Sequence, residues 1–205
     1  MTTTPVSAEP AEETPVLRVP APSAWWVLIA GVIGLAASMT LTVEKIQLLL
    51  NPSYVPTCNI NPIVSCGSVM VTPQASVLGF PNPLLGLVGF TVVIVTGVLA
   101  VAKVPLPQWY WGGLTVGVLL GSAFVHWLIF QSLYRIGALC PYCMVVWVVT
   151  IALLVVAASI AFRPALQTGG LRVLYQWRWS IAALWFTAVF LLIMVRFWDY
   201  WSTLL

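Results

Sequence analysis

The sequence predicts an all-α integral membrane protein with five membrane-spanning helices. Of its 205 residues, 61% are hydrophobic and 6% are charged, whereas about 25% of the residues in an ordinary soluble domain are charged. A helix needs about 20 apolar residues to cross the hydrocarbon core of a bilayer. Five stretches approach that length, approximately over residues 25–43, 83–102, 109–133, 141–162 and 180–198. The net charge of +3 is small and scattered, so a nucleic-acid partner is not expected.

The segments outside these stretches divide the chain into three parts. Residues 1–22, rich in Pro, Glu, Thr and Ala, are predicted to form a disordered cytoplasmic tail. Residues 23–163 are predicted to form the functional core, and residues 164–205 a cytoplasmic link and a fifth transmembrane helix. The first apolar stretch exceeds the roughly 7–15 residues of a signal-peptide core, so we expect it to be a retained helix. Within the core, segment 44–82 is the one connection long enough to carry substantial structure of its own.

The distribution of basic residues predicts the orientation. With a cytoplasmic N-terminus, five basic residues fall inside and three outside, in the direction of the positive-inside rule. The inner set is Arg18, Lys103, Arg163, Arg172 and Arg178, and the outer set is Lys45, Arg135 and Arg196. We therefore expect a multi-pass protein of the cell membrane with its C-terminus on the extracytoplasmic side.

The four cysteines form two pairs that must share one face of the membrane. Cys58 and Cys66 follow the first span, Cys140 and Cys143 follow the third, and two complete spans separate the pairs. In the expected orientation both pairs stand in an oxidising compartment, where disulfides persist. Because all four cysteines of the chain lie in these two pairs, we do not expect them to serve only as packing residues.

The second pair lies in the sequence "CPYC" at the start of the fourth span. Pro141 favours the first position of a helix, so Cys140 is predicted near the N-cap, where the helix dipole stabilises a thiolate. Cys143, one turn further on, is expected deeper in the apolar phase. Cys140 would then be reached by a loop thiol, for which Cys66 is the better candidate, and Cys143 by a lipid-soluble oxidant. Cys58 lies farther out and would meet an external protein.

The loop between the first two spans predicts a cover for an apolar pocket. Its segment "NPIVSCGSVMVTP" is predicted to form a short amphipathic helix that starts at Asn61 and Pro62, includes Met70 and ends before Pro73. Phe80 and Asn82 follow at the mouth of the second span. A covered apolar pocket with few polar groups suits a quinone-like ligand, and Trp147, one turn below Cys143, is a candidate for its wall.

Several other interpretations of these residues stay open. Four cysteines are enough for a structural zinc site, but seven residues separate Cys58 from Cys66 and no histidine lies near either pair. Two static disulfides are a further alternative. His126 is interpreted as a neutral histidine bonded to a backbone carbonyl or a neighbouring helix, with a functional role as the alternative. Glu44 and Lys45 are interpreted as the outer end of the first helix, with a ligand role as the alternative.

The combination of a first loop bearing "CNINPIVSC", a four-helix core and "CPYC" at the head of the fourth helix resembles the bacterial branch of the vitamin K epoxide reductase family. The resemblance covers about residues 25–162. Quinone oxidoreductases of the DsbB type carry their cysteine pairs in the reverse order, and a DsbB-type enzyme that arose by convergence is kept as an alternative.

The resemblance implies a membrane thiol oxidase built as a four-helix bundle around a quinone. Cys58 would exchange with a separate DsbA-like, thioredoxin-fold protein, Cys66 would pass electrons to Cys140, and Cys143 would deliver them to a quinone of the menaquinone or ubiquinone type. Such an enzyme would support disulfide formation in secreted proteins. Because no fused thioredoxin-like domain is present in these 205 residues, the partner is expected to be a separate chain.

The resemblance also implies residues of the quinone pocket. Asn82 falls where the family places an asparagine that bonds a quinone carbonyl, and Thr72 keeps the hydroxyl of a serine usual at that position. Trp147 stands where the animal enzymes have a tyrosine, which favours plain quinone reduction over vitamin K epoxide as the natural activity. Met70 and Phe80 complete the predicted pocket.

Overall fold

The computed structural model describes residues 16–163 and 171–203. Within these ranges, five helices are long and apolar enough to cross a membrane, which confirms the predicted fold class. The helices are α1 (Ala21–Leu50), α2 (Cys66–Met70), α3 (Pro83–Val101), α4 (Gln108–Gln131), α5 (Pro141–Ala161), α6 (Leu171–Arg196) and α7 (Trp198–Trp201). The expectations for residues 1–15 of the tail and 164–170 of the link fall outside the described residues.

The chain is structured earlier than the predicted tail boundary at residue 22. Strand β1 (Val16–Leu17) pairs antiparallel with strand β2 (Leu106–Pro107), which lies in the connection between α3 and α4. Leu17 and Val19 also pack against the apolar core. The expectation of disorder is therefore corrected for residues 16–22, because two apolar residues in this segment find partners to pack against.

Helix α1 continues to Leu50 instead of ending near Val43. Its two charged residues are paired with the following loop: Glu44 accepts a hydrogen bond from the Thr57 hydroxyl, and Lys45 donates one to the Met70 carbonyl. Because both charged side chains have hydrogen-bond partners in the loop, the helix continues beyond them. The long loop therefore begins at Asn51 rather than at residue 44.

Four of the long helices form the bundle. Helix α1 packs against α3 and α5, and α5 packs against α4. Gly97 lets α3 approach α1 closely, since a Cβ at this position would lie 2.6 Å from the Leu28 Cα atom. Helices α3 and α4 make no extended contact with each other, so the bundle is open along that side.

Helix α6 lies outside the four-helix bundle, against α5, and two polar contacts also join it to the α4 segment. The Trp185 indole N–H donates to Nε2 of His126 over 2.8 Å, and Nδ1 of the same ring lies 2.7 Å from the Ser122 carbonyl. The histidine therefore carries its proton on Nδ1 and bonds to both a backbone carbonyl and a neighbouring helix. Near the other end, Arg196 Nε donates to the Leu133 carbonyl over 2.9 Å.

Candidate active site

The loop is joined to the start of α5 by backbone hydrogen bonds. Leu139 N–H donates to the Ile63 carbonyl over 2.7 Å, and Ser65 N–H donates to the Leu139 carbonyl over 2.9 Å. Val64 and Leu139 thus form a short parallel bridge. Since Cys66 follows Ser65 and Cys140 follows Leu139, this pairing brings the two cysteines face to face.

Side chains in the loop fix the turn that precedes Cys66. The Asn61 side-chain carbonyl accepts from the N–H groups of Ile63 and Val64, while Asn59 accepts from the Gly67 N–H. The predicted helix start at Asn61 is therefore wrong: the Asn61 side chain closes a turn there, as asparagine commonly does. Helix α2 begins at Cys66, and Ser65 is its N-cap through a bond from the Ser68 N–H.

The sulfur atoms of three cysteines lie in one buried cluster. Cys58 and Cys66 form a disulfide with a Cα–Cα distance of 5.6 Å, and Cys140 and Cys143 are free thiols. Cys140 Sγ lies 3.3 Å from Cys66 Sγ. Both pairs are at the same end of the bundle, as the number of intervening spans predicts, and the distance permits thiol–disulfide exchange between Cys140 and Cys66.

Cys140 is the N-cap of α5, with Pro141 as the first helical residue. The thiol of Cys143, which donates to the Cys140 sulfur, lowers the pKa of Cys140 below its ordinary value. The backbone N–H groups of Cys143 and Tyr142 act in the same direction, and burial opposes them. The environment therefore favours the thiolate, which is the nucleophilic form.

An apolar cavity of about 600 Å³ opens beside the second cysteine pair. Cys140 and Cys143 both line it, together with three of the five predicted pocket residues, Met70, Asn82 and Trp147. On α4, Gly113, Gly117 and Gly121 form part of its wall, on the side where α4 fails to contact α3. The cavity thus reaches from the cysteines along the bundle toward the lipid.

Two predicted pocket residues, Thr72 and Phe80, lie outside the cavity lining. The Thr72 hydroxyl donates to the Val69 carbonyl near the end of α2, so the side chain points toward the loop backbone. Phe80 follows Gly79, whose φ of +84° reverses the chain, and its side chain is 38% exposed. Both residues belong to the outer loop rather than to the wall of the cavity.

Asn82 connects the loop to the start of α3. Its Nδ2 donates to the Gln74 carbonyl over 2.8 Å, and its Oδ1 accepts from the Val77 N–H over 3.1 Å. The side chain makes no capping bond to α3 itself. A side-chain amide has two N–H donors, and the bond to Gln74 uses one of them, so the other can serve a ligand in the cavity.

Trp147 supplies a second donor. Its side chain is buried, and its indole N–H has no hydrogen-bond partner among the residues that the structure describes. A buried donor without a partner costs roughly 1–3 kcal/mol. Trp147 lines the cavity but its N–H is shielded from it, so a ligand carbonyl oxygen would remove this cost after a small rotation of the indole ring. An apolar cavity with such donors fits a quinone.

Lys45, Gln74 and Ser38 also line the cavity but were not predicted as pocket residues. The only signal for Lys45 was a charged residue close to the end of a span, which is equally typical of a helix that reaches the membrane surface. Gln74 and Ser38 carry no distinguishing sequence pattern.

The sequence pattern of the Vitamin K epoxide reductase family matches residues 25–158, which includes both cysteine pairs and the four helices of the bundle. No curated protein matches the chain significantly. In the described ranges, no three His, Cys, Asp or Glu side chains come together in the manner of a metal site.

Proposed function

Because this chain belongs to the vitamin K epoxide reductase family and is a membrane thiol–disulfide oxidoreductase, we propose that it transfers electrons from a DsbA-like partner to a quinone. Its physiological role would be to support disulfide formation in secreted proteins. One observation carries the proposal: the 3.3 Å contact between Cys66 and Cys140 lies beside an apolar cavity that Cys143 also lines.

The proposed transfer proceeds through two dithiol–disulfide exchanges and a final oxidation of the second pair by the electron acceptor. A reduced partner attacks the loop disulfide at Cys58, becomes oxidised and leaves Cys58 and Cys66 as thiols. The Cys66 thiolate then attacks Cys140 of a Cys140–Cys143 disulfide; Cys58 resolves the mixed disulfide, and the second pair becomes a dithiol. In the last step the two thiols of this pair lose two electrons and two protons and close their disulfide again.

The oxidation states in the structure agree with one stage of this cycle. The loop pair is a disulfide and the second pair is a dithiol. That combination follows transfer from the loop to Cys140 and precedes transfer to the final acceptor. The half-buried Cys143 faces the cavity, whereas Cys66 is fully buried against Cys140, which supports the division of roles between them.

The cavity supports a quinone as the final acceptor. A bound quinone would accept the two electrons and two protons that the dithiol releases. Trp147 and Asn82 would hold its carbonyl oxygens through N–H donors, and the largely apolar lining would exclude water from the ring. The open side between α3 and α4 would admit a long apolar tail from the bilayer. We further propose that the cysteine end of the bundle is extracytoplasmic and the N-terminus cytoplasmic.

Replacement of Cys143 by alanine tests the electron path. In Cys143→Ala, the second pair can no longer form a disulfide, so we expect quinone reduction to stop. A Cys66–Cys140 disulfide or a partner-linked species should accumulate, which non-reducing electrophoresis with mass spectrometry would identify. Quinone reduction at the wild-type rate in this variant would contradict the mechanism.

Redox titration separates this function from static disulfides or bound zinc. Added quinone should oxidise the thiols of the purified, reduced wild-type chain, as alkylation with a maleimide would show. If the thiols stay reduced after quinone is added, the cysteines have a structural role instead. If bound zinc protects them from alkylation, they have a metal-binding role.

A further inference from the structure

Within residues 16–163 and 171–203, one basic side chain lines the cavity, that of Lys45. The residue lies in the outer part of α1 and is half-buried. Its Nζ donates to the Met70 carbonyl over 2.6 Å. Met70 packs in the same cluster as Cys66 and Cys140, so the ammonium group is held at the cysteine end of the cavity.

The surroundings leave this charge without a carboxylate in the cavity wall. Among the residues that the structure describes, no Asp or Glu side chain lines the cavity. The adjacent acid, Glu44, is buried and accepts hydrogen bonds from the hydroxyl and N–H of Thr57, which lie in the loop next to Cys58. Glu44 and Lys45 of α1 thus contact the loop on either side of the Cys58–Cys66 disulfide: Glu44 contacts Thr57, and Lys45 contacts Met70. Lys45 also lines the cavity.

We propose that Lys45 stabilises the negative charge that develops on an oxygen of the electron acceptor in the cavity. This inference rests on the proposed function. Charges interact much more strongly in an apolar, water-poor site than in water, and a preorganised donor aimed at developing charge is an effective catalytic device. An ammonium group has three N–H donors, and the bond to Met70 uses one. Lys45 changes no stoichiometry, since the two thiols supply both electrons and both protons.

The bond to Met70 suggests a competing explanation, in which Lys45 only fastens α2 to α1. Three substitutions separate the two roles. Lys45→Arg keeps the charge and the donors, Lys45→Gln keeps a donor without the charge, and Lys45→Met removes both. If charge is what matters, Gln should behave like Met. If only the fastening matters, Gln should behave like Arg.

Ligand binding tests the charge without requiring turnover. The probes are 2-hydroxy-1,4-naphthoquinone, an anion at neutral pH, and the neutral 2,3-dimethyl-1,4-naphthoquinone, which has no open quinone-ring position for thiol addition. Both are added to protein in which the two cysteine pairs are disulfides, so that no electrons are transferred, and quenching of tryptophan fluorescence is the measurement. We expect Lys45→Gln and Lys45→Met to weaken binding of the anion by about tenfold or more, as for a lost charge-assisted hydrogen bond. Binding of the neutral probe should change by less than about threefold. Lys45→Arg should retain most of the affinity for the anion.

Arg135→Gln is the matched control, because it removes a positive charge outside the cavity lining but near the same end of the bundle. It should leave both affinities unchanged. Equal losses for the anionic and neutral probes in Lys45→Gln, or no loss for the anion, would overturn the inference, as would failure of the wild-type chain to bind the anion.

The binding test and the test of the electron path fail in different ways. Selective loss of anion binding in the Lys45 variants, together with quinone reduction by the wild-type chain, supports the inference. If the reduced wild-type protein does not reduce quinone, the proposed function fails, and the role of Lys45 fails with it. Normal anion binding in these variants, together with wild-type quinone reduction, overturns the role of Lys45 and leaves the proposed function intact.

Discussion

The sulfur atom of Cys140 contacts both the loop disulfide and Cys143, the other cysteine of the second pair. The sulfur lies 3.3 Å from Cys66 Sγ and accepts the Cys143 N–H over 3.4 Å. Its side chain is almost fully buried, so its ionisation depends on these neighbours and not on solvent. The Cys143 thiol, which lowers the pKa of Cys140, is also the group that would close a disulfide with it.

The pKa of Cys140 should therefore depend on Cys143. The Cys143 thiol lowers the pKa of Cys140, so its removal in Cys143→Ala should move the midpoint of Cys140 ionisation to higher pH, and Cys143→Ser should move it less because a hydroxyl can still donate. The measurement is the rate of N-ethylmaleimide alkylation against pH, in chains with Cys58 and Cys66 replaced by alanine. Profiles of both variants that coincide with that of the parent chain, which keeps Cys143, would show that the side chain at position 143 does not set this pKa.

Individual residues differ in how far the sequence defines their position. The positions of Cys140 and Cys143 follow from "CPYC" at a helix start, because N-cap geometry and helical spacing are local properties. The resemblance predicts Thr72 in the pocket, and the loop sequence predicts Phe80 there, but their orientation depends on a backbone bond to Val69 and on a turn at Gly79. Lys45 is interpreted from the sequence as a helix end, with a ligand role only as the alternative, because its contact is with Met70, 25 residues away.

At the level of helices and loops, the glycines of α4 define the open side of the cavity. Cβ atoms added at Gly113 or Gly117 would meet no other atom within 4 Å, so these residues are not needed for tight helix packing. At 1.5 Å per residue, Gly117 lies roughly 20 Å along the helix from the cysteine end. An acceptor with its ring near Cys143 would place its tail beside Gly117.

Gly117→Leu should therefore discriminate between quinones by tail length. We expect the KM for a long-tailed quinone to rise by about fivefold, equivalent to about 1 kcal/mol, and the KM for a tailless quinone to stay unchanged. Gly112→Leu is the matched control, since Gly112 also has open space around it but lies outside the cavity lining. Equal effects of the two substitutions would contradict a tail path along α4.

The bond between His126 and Trp185 fastens α6 to the bundle. We expect His126→Phe to lower thermal stability, because the Trp185 N–H loses its acceptor; such interhelical bonds contribute about 0.6–1.7 kcal/mol. Quinone reduction should be unaffected, since neither residue lines the cavity. Trp185→Phe should destabilise similarly, and the double variant should be less destabilised than the sum. Strict additivity in thermal unfolding would show that the bond contributes nothing.

For the whole molecule, hydropathy and the number of spans between the cysteine pairs predicted most of the architecture. Apolar stretches of membrane length gave the spans, and the number of spans between the cysteine pairs placed both pairs at one end. Long-range pairing was not predictable: the β1–β2 contact, the bridge of Val64 to Leu139 and the packing of α6 join segments far apart in sequence. Each depends on which backbone groups meet after the helices have assembled, and residue types alone do not encode that.

The outer surface suggests where a redox partner would dock. Cys58 is 6% exposed, whereas the apolar side chains of Val55 and Ile60 on either side of it are 69% and 71% exposed. We expect a partner that reaches Cys58 to cover these two side chains, because burial of apolar surface favours association. A partner that covered Val55 and Ile60 would be positioned to shift this segment and reach the Cys58 sulfur.

Aspartate at these positions should weaken partner exchange and spare the inner steps. In Val55→Asp and Ile60→Asp, we expect the KM for a reduced DsbA-like protein to rise by about fivefold or more, as for loss of an interface residue worth about 1 kcal/mol. Oxidation of a small dithiol should continue at the wild-type rate, because it needs no docking surface. Val104→Asp is the control, since Val104 is also an exposed apolar residue but lies in the connection between α3 and α4, at the opposite end of the bundle from the cysteines. If Val104→Asp impairs partner oxidation as strongly as Val55→Asp and Ile60→Asp do, the effect is not local to Cys58, and the partner does not dock on this surface.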